Sequence, residues 1–142
     1  MEEIRDRLNA VMPEGMGIIS VAEQVQKITA IAKAEYSFSL SADSPDELLS
    51  EVEALIAAPE ILIDKKTKKG IKTVDIKPDM EIISCTRSGN SVDIVMRLPA
   101  GTLTNYNPTL FCDALKKNGS GMFEAERFVR RAILCEDNSI FR

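Results

Sequence analysis

Between residues 91 and 98 the chain alternates strictly, with Val92, Ile94, Met96 and Leu98 on one side and Ser91, Asp93, Val95 and Arg97 on the other. A period of two marks a strand whose faces meet different surroundings, one a core and the other water. Residues 34–40 repeat the pattern, Tyr36, Phe38 and Leu40 alternating with Glu35, Ser37 and Ser39. Any fold for this chain has to supply a sheet with one buried face.

Two segments supply the cover. Ser44-Pro45-Asp46-Glu47 is a helix start: Ser44 caps, Pro45 suits the first turn and Glu47 reaches back as a capping box. Leu48, Leu49, Val52, Leu55 and Ile56 then form one apolar stripe, closed by Pro59. Asn107-Pro108 repeats the signal ahead of Leu110, Phe111, Ala114 and Leu115, and Asn118-Gly119 stops that helix. Further strands are expected from Ile61-Leu62-Ile63 into a hairpin turning at Gly70 and returning through Val74 and Ile76, over 81–86 before a Ser88-Gly89-Asn90 turn, and over 128–134. The order predicts an α+β sandwich, a mainly antiparallel sheet with helices on one face, similar to a ferredoxin-like arrangement.

The chain of 142 residues reads as one domain, with residues 34–142 as its α+β core. Residues 1–33 are expected to hold a helix and a first strand. The helix has Ile4, Leu8 and Val11 on one face and ends at Met12-Pro13-Glu14-Gly15. No capping residue precedes it, so it reads as the tail of something longer, an N-terminally truncated fragment. The strand is expected over residues 16–25, on Ile18, Ile19, Val21 and Val25.

Composition narrows the chemistry. The absence of histidine removes the usual general base near neutral pH, the Ser-His and Cys-His dyads and the commonest metal ligand. Cys85, Cys112 and Cys135 form no CxxC pair, so no zinc or iron-sulfur motif is written; they read as small buried residues in a reducing cytosol. The glycines form neither GxGxxG nor a phosphate loop, so no cofactor is expected. No stretch has the length of a membrane span and no secretory signal opens the chain; a cytoplasmic location is expected.

The best site candidate is the run KKTKKGIKTVDIKP at residues 65–78. Lys65, Lys66, Lys68, Lys69 and Lys72 gather around one turn in a chain of net charge −4, a local patch suited to phosphate or RNA backbone. The competing reading is a solvated turn that discourages edge pairing. Arg127, Arg130 and Arg131 extend the patch if their strand lies beside the hairpin. Asp75 reads as a salt partner of the lysines; with Asp79 and Glu81 it is also the one carboxylate group worth testing as a divalent-cation site. Residues 101–108 offer hydroxyl and amide groups at a helix start, either an anion contact or an ordinary capped connection.

RLNAVMPEGMGI at residues 7–18, AEYSFSL at 34–40, KKTKKGIKTVDIKP at 65–78, and the late NYNP and FVRRAIL stretches together resemble the C-terminal part of the bacterial radical SAM-linked, or radical SAM-associated, proteins. Members of that family carry a domain of unknown function and are separate partners of, or fusions to, radical S-adenosylmethionine proteins. The family's N-terminal portion has no counterpart here, Lys77 stands where arginine is usual, and Asn107-Pro108 replaces an Arg-Pro pair. The resemblance implies a radical SAM protein as partner; taken with the absent histidines and cluster-binding cysteines, it leads to the expectation of a non-catalytic accessory domain that binds or positions that enzyme's substrate, an RNA or ribosomal one, and the basic stretches supply the candidate surface, Lys65, Lys66, Lys68, Lys69, Lys72, Asp75, Lys77, Arg130 and Arg131. The alternative is an RNA-binding module that works alone.

Overall fold

A computed structural model describes residues 1–23 and 26–142. Its elements are α1 (Glu2–Asn9), β1 (Ile31–Ser41), α2 (Pro45–Ala57), β2 (Leu62–Thr67), β3 (Gly70–Asp75), β4 (Glu81–Ser88), β5 (Ser91–Pro99), α3 (Thr109–Asn118) and β6 (Glu124–Cys135), with single 3-10 turns at Ile28–Ala30 and Lys77–Asp79. Among the described residues β2 and β3 pair only with each other. The other four strands form one sheet in the order β4-β5-β1-β6, every neighbour antiparallel. Without the β2–β3 hairpin the chain runs β-α-β-β-α-β, which is the ferredoxin-like topology. The hairpin is an insertion between α2 and β4.

The alternation in β1 and β5 places the core. Phe38 and Leu40 of β1 and Val92, Ile94, Met96 and Leu98 of β5 are buried in one cluster with Leu48, Val52 and Leu55 of α2 and Phe111, Ala114 and Leu115 of α3. Ile61, Ile63 and Ile76 carry the base of the hairpin into the same cluster. The opposite face is polar. Across β1 and β5 it pairs Glu35 with Arg97, Ser37 with Val95 and Ser39 with Asp93, and the Ser39 hydroxyl donates to Asp93 Oδ1 at 2.7 Å.

Two local expectations are corrected. Residues 16–23 form no strand: Met16 and Ile19 are exposed, since no sheet strand pairs with them, and Val25 lies outside the described residues. The Ser44 capping box does not close, because Ser44 sits at φ −115°, ψ 78° and its side chain accepts no cap hydrogen bond. Gly119 stops α3 as expected, in extended backbone at φ −116°, where a Cβ would come 2.5 Å from Glu51 Oε2 and 3.1 Å from the Leu115 carbonyl oxygen. The Asn107 signal does act, its Oδ1 accepting from the Thr109 N–H at 3.0 Å.

The edge strand β6 is longer and less regular than its sequence predicts. Its register against β1 shifts in three places, and at one of them Arg127 and Phe128 together oppose Phe38, with Arg127 at φ 58°.

Candidate functional site

The hairpin is built outward from its anchored base. Asp75 is no salt partner of the lysines: its Oδ1 accepts from the Ile61 N–H at 2.8 Å and the Lys77 N–H at 3.0 Å, so it stitches the strand ends together. The Lys77 ammonium donates to the Ile56 carbonyl in the last turn of α2, where a cation suits the helix end. These two residues hold the frame.

Beyond the frame, register and alternation sort the lysines. Lys65 lies opposite Lys72, two residues along from the pair Ile63 and Val74 that faces the core. Lys65 is half-buried there: its ammonium donates to the Asn105 carbonyl at 2.8 Å and stands 4.9 Å from the Tyr106 ring centroid. Lys66 shares the outer face with Ile71, and Lys68 and Lys69 form the two-residue turn that Gly70 closes at φ +123°. Thr67 ties that turn by donating to the Gly70 carbonyl at 2.9 Å. Among the described residues no carboxylate pairs with any of the five lysines within 4.0 Å, and Lys66, Lys68, Lys69 and Lys72 are exposed. Like charges directly opposed on a two-stranded ribbon repel, and Lys65 turns its ammonium away to the Asn105 carbonyl while Lys72 stays in solvent.

Arg127, Arg130 and Arg131 are exposed on β6, at the edge of the four-stranded sheet, whereas the hairpin is a separate sheet whose β2 packs against α3. The two basic groups share no strand pairing. Asp75, Asp79 and Glu81 do not gather either: among the described residues no group of three or more acidic or thiol side chains is placed to hold a metal ion. Asp75 is bound to backbone amides, and Glu81 turns toward Arg97.

A second feature adjoins the loop that seats Lys65. Thr104, next to Asn105, lines a cleft of about 380 Å³ together with Lys33, Pro78, Asp79, Arg97 and Glu136. Its ion row crosses three strands: Arg97 Nε donates to Glu35 Oε2 at 3.0 Å, and Arg97 Nη1 stands 3.6 Å from Glu81 Oε2. Arg97 and Glu35 keep only 22% and 18% of their side-chain surface exposed. Nothing local in the sequence marks this row, because its members come together through register.

The thiols are quiet. Burial, then the Asp113 charge, pushes Cys112 up to about 12, and burial with Glu53 raises half-buried Cys85. Neither is a thiolate near neutral pH. Burial raises Tyr106 as well, with Asp79 and Asp75 adding to it. Among the described residues no helix is long and apolar enough to cross a membrane.

Fold and site together define an α+β domain of ferredoxin-like topology that presents a basic hairpin. The chain belongs to the family described as "uncharacterized protein conserved in bacteria" (DUF2344), whose model matches residues 1–108. That span holds the hairpin, Tyr106 and Arg97, and ends before α3 and β6. No curated protein and no solved structure matches the chain.

Proposed function

We propose that this domain is a non-catalytic accessory unit of a radical S-adenosylmethionine enzyme, and that it holds the enzyme's RNA or ribosomal substrate by the lysine hairpin. One observation carries the reading: five lysines lie in or beside a two-residue turn and, among the described residues, no carboxylate pairs with them, on a chain whose net charge is −4. Positive potential kept local in this way attracts a phosphate backbone while the rest of the surface repels it. The resemblance in residues 7–18, 34–40 and 65–78 supports the radical SAM partner.

The test is fluorescence anisotropy with single-stranded RNA over a range of salt. Four or five lysine contacts give a log–log salt slope of about −3, from roughly −0.7 per neutralised phosphate. Changing Lys65, Lys66, Lys68 and Lys69 to Glu is expected to weaken binding at least a hundredfold; unchanged affinity would refute the hairpin's role. Cleavage of S-adenosylmethionine by the isolated domain would refute the accessory role. Full RNA affinity and function without any partner enzyme favours the stand-alone module instead.

A further inference from the structure

We infer that β6 carries a second RNA contact, in which Phe128 stacks an unpaired base and Arg127, Arg130 and Arg131 hold the phosphates beside it. The inference rests on reading this domain as an RNA holder, and it supplies what the hairpin lacks, an aromatic face for bases.

Three rings stand in line. Phe111 of α3 meets Phe38 of β1 with centroids 6.4 Å apart, and Phe38 stacks in turn on Phe128 at 5.1 Å, with 21° between the planes. Phe111 and Phe38 are buried, whereas Phe128 is 40% exposed. The core thus holds one face of the outermost ring, and what that ring shows to water is its other face and its rim. A ring fixed in this way receives a base without first being ordered.

Register sorts the charges around it. Phe128 opposes Phe38 and Arg130 opposes Tyr36, so both stand on the helix side of the sheet, about 7 Å apart along the strand. Glu124 and Glu126 oppose Ser41 and Ser39 on the other side. Arg127 and Arg131 sit at two of the register breaks, where a bulge re-aims a side chain. All three arginines are exposed, and among the described residues none has a carboxylate within 4.0 Å. This stretch is an exception on a chain whose net charge of −4 repels phosphate.

The combination selects the ligand. Guanidinium groups without carboxylate partners call for anions, and phosphate suits their planar fork. The ring calls for a flat partner with a free face, which a duplex keeps inside its stack and a single strand presents. A peptide that adds itself to the β6 edge needs an even ladder, and the three breaks in register interrupt it. Stacking reads no base edge, so the contact is blind to sequence and sensitive to strandedness.

The experiment measures the anisotropy of a labelled single-stranded RNA of mixed sequence and of the same sequence as a duplex, alongside NMR titrations of the unmodified domain with adenosine monophosphate and with inorganic phosphate. Phe128→Leu, which keeps apolar cover on Phe38, is expected to weaken single-strand binding about tenfold and to leave duplex binding within about twofold, while Phe128→Tyr should bind as the unmodified domain does. Arg127→Gln, Arg130→Gln and Arg131→Gln together should flatten the single-strand salt slope by about 2, from roughly 0.7 per phosphate. Adenosine monophosphate should move the Phe128 ring resonances upfield, and inorganic phosphate should not. Unchanged single-strand affinity in Phe128→Leu, with ring resonances that the nucleotide leaves in place, overturns the assignment; so does a phosphotyrosine peptide that moves those resonances when the nucleotide does not. If Phe128→Leu fails to fold, the titrations of the unmodified domain decide. The hairpin reading fails separately, when reversal of its lysines leaves RNA affinity unchanged, and Phe128→Leu still tests β6.

Discussion

The four-stranded sheet and the two-stranded hairpin are held by different physics. In the sheet, Val92, Ile94, Met96 and Leu98 disappear beneath Phe111 and Leu115, and stability comes from apolar surface removed from water. In the hairpin Ile63 and the partly buried Val74, with Ile61 and Ile76 at its base, reach that core; outward the ties are polar, and the turn is held by the Thr67 hydroxyl. A two-stranded ribbon is marginal alone, so this one is a projection steadied from below. The comparison separates a part that sets the fold from a part free to carry charge.

The largest effect expected from this division falls in the core. Phe111→Ala should lower unfolding free energy by about 3–5 kcal/mol in urea titrations, since the ring is fully buried against Phe38. A loss under 1 kcal/mol would break the contrast. Next comes the junction, where Asp75→Ala leaves the Ile61 and Lys77 amides without their acceptor; a loss of about 1–3 kcal/mol is expected, with amide exchange rising through β2 and β3 before the main sheet.

The core also sharpens the contrast through alkali. Cys112 has a folded value raised to about 12 from an ordinary 9.0, so its contribution is complete below pH 9 and is lost as pH climbs from 9 toward 12. Stability should fall by about 1.4 kcal/mol per pH unit in that window, measured by urea midpoints, and Cys112→Ala should flatten the slope. The smallest effect belongs to the tip. Lys68→Ala with Lys69→Ala should change stability by less than about 0.5 kcal/mol while still weakening RNA binding.

Legibility followed the same division. The alternation of 91–98, the stripe of Leu48 to Ile56 and the Asn107-Pro108 start each encode a local period, and each appears as β5, α2 and α3. Residues 16–23 are as apolar as many strands, yet apolarity names no pairing partner, and Ile19 remains 93% exposed. At the site, the lysine run and its turn could be read directly. Its seat could not, because Lys65 meets Asn105 and Tyr106 only after the chain has crossed two strands of the main sheet. The row Glu35, Arg97 and Glu81 was hidden for the same reason: three strands supply one member each. Asp75 misled by standing among opposite charges, when an acceptor two residues before an amide also makes a local turn.

The broken register of β6 has a consequence for crowded solution. A long rim with evenly spaced free amides invites a neighbour to lie alongside and continue the sheet. Here the spacing is interrupted three times, Arg127 twists the chain out of line, and three guanidinium groups repel a like rim. Copies of the molecule that meet along this border find no straight track to zip onto, so the domain can accumulate without growing into fibres from that side.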